Sequence, residues 1–260
     1  MTTSPDPPTS SATAPSIPQS LQDARVPTLP PSAYYIPNFI TEQEELLILD
    51  KIANAPKPRW KQLTHRRLQT WPSDLVKNAL LDEPLPQWLI DPVISRLLSL
   101  SYGTDDSGAK TNLFSKSPHK QPNHVLVNEY PPGVGIMPHK LTYHPVVCTV
   151  SLGSSLCLNL YQSKEDGALN PDPVYRILQE PRSLLITTDD IYTEYLHGIA
   201  NTREDIDLSA RTVANWNLLG CKNLFEAGRN ERQTRISLTY RDVLKVVKLG
   251  SRLNSILGRR

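Results

Sequence analysis

Two arginines and two hydroxyls fall on alternate positions of residues 235–241, RISLTYR. Successive side chains of an extended chain point to opposite faces. Arg235, Ser237, Thr239 and Arg241 therefore share one side, and Ile236, Leu238 and Tyr240 share the other. A polar side of this kind on an otherwise apolar strand is an anion site, because a planar guanidinium grips a carboxylate through paired hydrogen bonds. The same alternation in residues 124–130, HVLVNEY, sets Leu126, Asn128 and Tyr130 on one face and Val125 and Val127 on the other. That polar face is also lined for a ligand. Pro131, Pro132, Gly133 and Gly135 then end the strand and turn the chain. His139 follows just beyond the turn, near the mouth of whatever the strand lines.

A third stretch has a different chemistry. Residues 57–71, KPRWKQLTHRRLQTW, carry Lys57, Arg59, Lys61, Arg66 and Arg67 with no acid, and the aromatics Trp60 and Trp71. Cations that follow a phosphate backbone, with an aromatic ring to stack on a base, would make this a nucleic-acid lid with Trp60, Arg66 and Arg67 as its contacts. An ordinary hairpin with cationic edges that discourage aggregation accounts for the same composition. Both readings stay open from spacing alone.

The elements that must position these groups read as mainly β with flanking helices. The 260 residues fit one domain and a tail. Residues 1–32 are rich in Pro, Ser, Thr and Ala and are expected to be disordered. Residues 33–120 form an amino-terminal extension for substrate recognition. It has a helix expected over 42–54 behind the Thr41–Glu44 capping box, with Leu46, Leu47, Leu49, Ile52 and Ala53 as its apolar positions. A second helical pattern runs over 85–100, with Asp91-Pro92 as its start. In residues 121–245 short β runs recur at 145–153, 156–162, 182–188, 192–199 and 235–241. They predict a jelly-roll, or double-stranded β-helix, core. Residues 163–179 and 201–233 interrupt it as expected surface loops, and 246–260 form a basic tail expected to pack as a helix. A net charge of +2 does not announce a nucleic-acid partner, and three cysteines make no disulfide framework. No apolar run reaches membrane-spanning length, so a soluble intracellular chain is expected.

On these motifs the chain resembles the AlkB-like dioxygenases that use iron(II) and 2-oxoglutarate, over residues 34 to 245. The Asn128-x-Tyr130 strand with its following turn, the YLHGI segment around His197, and RISLTYR carry the resemblance. The PNF, NAPKP and EPRSLL stretches point to the AlkB homologue 6 branch. The resemblance implies His139 and His197 as iron ligands, and Asn128, Tyr130, Arg235, Ser237 and Arg241 around 2-oxoglutarate. It also implies oxidative demethylation of alkylated nucleic acid with dioxygen, by a monomer of the nucleus or cytoplasm. In that reaction 2-oxoglutarate becomes succinate and carbon dioxide, and a hydroxylated N-methyl group leaves as formaldehyde.

One departure stands out. The family has His-x-Asp-Gly, but this chain reads His139-Lys140-Leu141-Thr142, with no acid before Glu165. The two histidines and one carboxylate that bind such an iron leave open positions for co-substrate and dioxygen. Leucine cannot take the carboxylate's place, and His144 is a poor substitute. The sequence therefore predicts weak iron binding and slow or no turnover. Three accounts stay open: a splice variant of a chain that carries the acid, unusual ligation, or an inactive pseudoenzyme that binds nucleic acid or serves as a scaffold.

Overall fold

The protein is described from a computed structural model, which covers residue 15 and residues 17–139, 145–162 and 170–248. Its centre is a pair of antiparallel sheets. The principal strands in chain order are β1 (Ala33–Ile36), β2 (Lys61–Gln62), β3 (Arg67–Trp71), β4 (His124–Tyr130), β5 (Ile136–His139) and β6 (Val146–Leu152). They continue as β7 (Leu156–Tyr161), β8 (Tyr175–Gln179), β9 (Leu184–Thr188), β10 (Leu196–Ile199) and β11 (Arg235–Arg241). The major sheet has seven strands in the order β1-β9-β6-β11-β4-β3-β2, and the minor sheet four in the order β8-β7-β10-β5. This is the jelly-roll that the short, turn-separated β runs predict.

Alternation decides what each face of the major sheet does. Val125 and Val127 of β4, Leu238 and Tyr240 of β11, and Cys148 and Val150 of β6 are buried in one apolar cluster with Ile48, Ile52, Leu89, Val93 and Leu97. The opposite faces of the same strands look toward the minor sheet. The helix α1 (Glu42–Ala53) closes the apolar side. Its start is fixed by the expected capping box, in which Thr41 and Glu44 exchange hydrogen bonds. Its buried stripe is turned from the expected one: Ile48 and Ile52 are buried, while Leu46 and Leu47 are exposed. The cause is Glu45, which is drawn inside to accept from the Gly153 amide and the Arg182 guanidinium at 2.8 Å each. The strand side is tethered in turn by Gln69 of β3, fully buried, whose amide donates to the Ile52 carbonyl at 3.0 Å.

Several expectations are corrected. Residues 21–32 are ordered against the core, with Leu21, Ala24, Val26 and Leu29 buried and Leu21–Ala24 forming a capped 3-10 turn. Residues 1–14 and 16 lie outside the described residues. The 85–100 helix is broken once, at Asp91, which is extended before a cis Asp91-Pro92 bond, whereas Ile94 and Ser95 run on with helical backbone into Ser95–Ser99. The expected strand at 192–199 is shorter: Asp189–Thr193 is helical and takes its first two residues, and only Leu196–Ile199 is extended.

The two expected loops are structural. Tyr175–Gln179 is a full strand of the minor sheet, paired from Leu156↔Gln179 to Leu160↔Tyr175. Residues 201–233 contribute Leu208, Val213, Leu219 and Phe225 to a second apolar cluster with Cys157, Leu160 and Ile177. That segment is the cover of the minor sheet, which would otherwise expose an apolar face. Val246–Val247 pairs in parallel with Leu80–Leu81, so the carboxyl-terminal segment begins extended, and the rest of the expected helix lies outside the described residues. No described helix is long and apolar enough to cross a membrane.

Candidate active site

A cavity of about 580 Å³ opens between the two sheets. Its polar wall comes from the central strands of the major sheet. Cross-strand register sets Arg235 opposite Tyr130, Ser237 opposite Asn128, Thr239 opposite Leu126 and Arg241 opposite His124. On the other side of β11, Ser237 faces Ser151 and Thr239 faces Thr149. Asn128, Tyr130, Arg235, Ser237, Thr239 and Arg241, the polar-face residues of β4 and β11, all line the cavity.

Arg235 is 2% exposed. Its Nη2 donates to Ser151 Oγ and to Gln179 Oε1, each at 2.8 Å, and its guanidinium carbon stands 5.7 Å from the centre of the Tyr130 ring. Both hydrogen-bond acceptors are neutral. Its Nε is buried with no hydrogen-bond partner among the described residues. Burial without a counter-charge pulls the guanidinium down to about 10, against Tyr130, which raises it; Arg232 lowers it further. A cation held in this way is poised for an anion from outside. Tyr130 is pushed above its ordinary value, chiefly by burial, with Arg235 and Arg66 opposing the rise.

The facing wall carries the histidines. His139 of β5 and His197 of β10 are partners in register across the minor sheet, and both line the cavity. Gly135 allows the close approach of the turn before β5, because a Cβ there would lie 2.0 Å from the Ile199 carbonyl oxygen. Gly133 supplies the left-handed residue of the same turn at φ 86°. His139 Nδ1 lies 3.0 Å from the Met137 carbonyl and donates to it, which leaves Nε2 as the ring's lone-pair nitrogen. His197 Nε2 donates to the Ile191 carbonyl at 3.1 Å, and burial keeps its imidazole below its ordinary value.

The basic hairpin β2–β3 lies at the edge of the major sheet, where only part of it reaches the cavity. Arg66 lines the mouth, donates to Asn128 Oδ1 and stands 5.8 Å from the centre of the Tyr130 ring. Trp60 and Arg67 do not line it. Arg67 makes a two-pronged ion pair with Glu129 at 2.6 and 2.8 Å and lies 4.0 Å over the Trp60 ring, which packs on the main apolar cluster. These two are committed to holding the hairpin on β4. Sequence reasoning missed Gln179, placed in an expected loop, and Ser151, whose alternation with Thr149 was a usable signal once the strand was drawn.

Residues 32–241 match the model of the 2OG-Fe(II) oxygenase superfamily. The chain belongs to that superfamily. It is 38% identical over 244 residues to "Probable RNA/DNA demethylase ALKBH6" of Danio rerio, spanning 89% of this chain and 92% of the relative, which sets this oxygenase in the AlkB-like group on the AlkB homologue 6 branch. "Uncharacterized protein L905" of Acanthamoeba polyphaga mimivirus is 28% identical over 222 residues, with 81% and 84% of the two chains covered. Among solved structures "The structure of OsALKBH1" superposes with a TM-score of 0.50 at 14% identity, covering 82% of this chain and 98% of that one, and supports the fold.

Membership implies 2-oxoglutarate and iron(II), and the two fare differently against the residues present. The cavity fits a dicarboxylate: the unpartnered Nε of buried Arg235 needs an acceptor, and Tyr130, Asn128 and Ser237 offer polar groups beside it. The iron set does not fit. Among the described residues no three His, Cys, Asp or Glu side chains are grouped to hold a metal. His139 and His197 give two donors, and the positions after His139 are Lys140, Leu141, Thr142, Tyr143 and His144, without an acid. Lys140 to His144 lie outside the described residues.

Proposed function

We propose that this oxygenase takes 2-oxoglutarate on the β4–β11 wall and an alkylated nucleic acid at the mouth, for oxidative removal of an N-methyl group. The observation that carries the reading is Arg235, a buried cation whose hydrogen-bond acceptors are neutral, facing two paired histidines across one cavity. In it Arg235 grips the distal carboxylate, while Asn128, Tyr130, Ser237 and Arg241 complete the pocket. His139 and His197 are the metal-binding pair. Arg66 is the cation closest to an entering phosphate, since Trp60 and Arg67 are already engaged. The relative named as a probable RNA/DNA demethylase supports nucleic acid as the substrate class. The protein acts as a monomer in the nucleus or cytoplasm.

The absence of an acid between His139 and Glu165 favours a second reading for this particular chain, binding without turnover. Two measurements separate the readings. Calorimetry with 2-oxoglutarate in the absence of metal should register binding, and no heat at millimolar ligand would refute the pocket assignment. Succinate release with added iron(II) should be absent or slight for the chain as it stands. It should appear when Asp-Gly is inserted after Lys140, because a metal site that loses even an indirect support drops about 10–100-fold in affinity. If the unaltered chain releases succinate as fast as the insertion variant, the second reading falls.

A further inference from the structure

One cavity arginine comes from outside the two central strands. Arg66 sits in the turn of the β2–β3 hairpin and lines the mouth. Three contacts fix its place. The Leu63 amide donates to the Arg66 carbonyl at 2.8 Å and closes the turn. Its neighbour Arg67 is opposite Glu129 in register and ion-paired with it, which clamps the hairpin to β4. The Arg66 guanidinium then reaches inward, 5.8 Å from the centre of the Tyr130 ring, and donates to Oδ1 of the buried Asn128. That oxygen is a neutral acceptor, and among the described residues Arg66 makes no ion pair. Arg235 stands 5.7 Å from the same ring. Two guanidinium groups with neutral acceptors therefore flank one tyrosine, Arg235 deep in the cavity and Arg66 at its mouth. 2-Oxoglutarate has two carboxylates, and Arg235 accounts for one of them. With no acid between His139 and Glu165, an iron ion is a weak holder for the other. A carboxylate that replaces the neutral Asn128 oxygen would give Arg66 a stronger, charge-assisted contact.

We infer that Arg66 is the specificity residue for the second carboxylate, so that the dicarboxylate is held between two guanidinium groups and needs no metal to bind. The inference rests on the proposed 2-oxoglutarate site and deepens it. It gives the Arg67–Glu129 clamp a purpose, since that pair keeps Arg66 within reach of the cavity. The reading of Arg66 as a phosphate contact draws on the same cation from outside, and the test separates the two.

The test is metal-free calorimetry of the full chain with 2-oxoglutarate and with 4-oxopentanoate, in which a methyl group replaces the carboxylate next to the ketone. Arg66→Gln should weaken 2-oxoglutarate binding by about tenfold or more, the scale of one hydrogen bond to a charged group. The same variant should bind 4-oxopentanoate within a few-fold of the parent. Arg66→Lys, which keeps the charge, should recover part of the loss, as a purely structural role would not. An Arg66→Gln chain that binds 2-oxoglutarate like the parent overturns the inference, and if it loses only binding of a single-stranded oligonucleotide, Arg66 is a phosphate contact alone. Equal losses for both ligands also overturn it. Where 4-oxopentanoate binds too weakly to measure even in the parent, the lysine variant decides, and no recovery overturns the inference. Should the glutamine variant fail to fold, Arg66→Met serves in its place. A parent chain that does not bind 2-oxoglutarate removes both the pocket reading and this inference, whereas a parent that binds alongside an indifferent variant removes this inference alone.

Discussion

Replacing Arg235 with methionine should separate stability from binding. The guanidinium is 2% exposed and its ordinary value of 12.5 is drawn down to about 10. At about 1.4 kcal/mol per tenfold, that displacement corresponds to roughly 3 kcal/mol of cost to the ligand-free fold. The sign follows from the charge: the folded state disfavours the cation, so the cost is present at every pH below about 10 and fades only as the pH rises above it. Methionine has the length and flexibility to fill the space and no charge to desolvate. Its loss leaves Gln179 Oε1 still accepting from Ser151 Oγ at 3.1 Å. The ligand-free Arg235→Met protein should therefore melt no lower than the parent, and up to about 6–12 °C higher if the whole cost is recovered, at roughly 2–4 °C per kcal/mol for a chain of this size. The response to ligand should move the opposite way. A hundredfold excess of 2-oxoglutarate over its dissociation constant adds about 2.7 kcal/mol to the parent. The variant loses about 2–5 kcal/mol of binding, so at the same concentration its stabilisation should fall below about 1 kcal/mol. Thermal melts with and without 2-oxoglutarate read both quantities. A variant that melts well below the parent yet keeps the ligand shift would refute the reasoning, because Arg235 would then be a structural cation.

Acid should expose the buried imidazoles. His124 takes up its proton near 6.5 when unfolded and near 3 when folded, so stability should fall by up to about 1.4 kcal/mol per pH unit as the pH drops between those values. Urea melts of His124→Asn should lose one proton's worth of that slope. An unchanged slope would remove the assignment of His124 as a neutral buried group, since His197, also held low, contributes to both proteins alike. Gly135→Ala would force a Cβ to within 2.0 Å of the Ile199 carbonyl. The expected cost is about 1–3 kcal/mol as β5 is pushed off β10, read by thermal melts. A variant as stable as the parent would show that the approach is not needed.

Much of the polar wall could be read from the chain because two strands carry it by simple alternation. HVLVNEY and RISLTYR each separate a polar from an apolar side, and pairing the two in antiparallel register merges both polar sides into one surface. What could not be read depends on partners remote in the chain. Arg67 and Trp60 have the composition of a nucleic-acid contact, yet Glu129 on the adjacent strand neutralises the arginine, and nothing near residue 67 announces that acid. Gln179 lies in a short YRILQ run after an Asn-Pro-Asp-Pro stretch. It becomes a strand only because β7 offers a free edge, which is a tertiary cause. The apolar residues of 201–233 follow no helical or strand period, because they cover a sheet without forming one. His124 reads as the polar start of a strand, yet it is fully buried and accepts from an arginine 117 residues away.

The place of β5 at the rim of the minor sheet has one more consequence. That strand has a single neighbour, β10, and the next strand in the chain, β6, belongs to the other sheet. Residues 140–144, which join them in the sequence, lie outside the described residues, and β5 and β6 each find their partners elsewhere, so a few codons gained or lost between them would remove none of the described strand pairings. Evolution, or a shifted exon boundary, can thereby rewrite the residues beside His139 while the two sheets stay paired as they are.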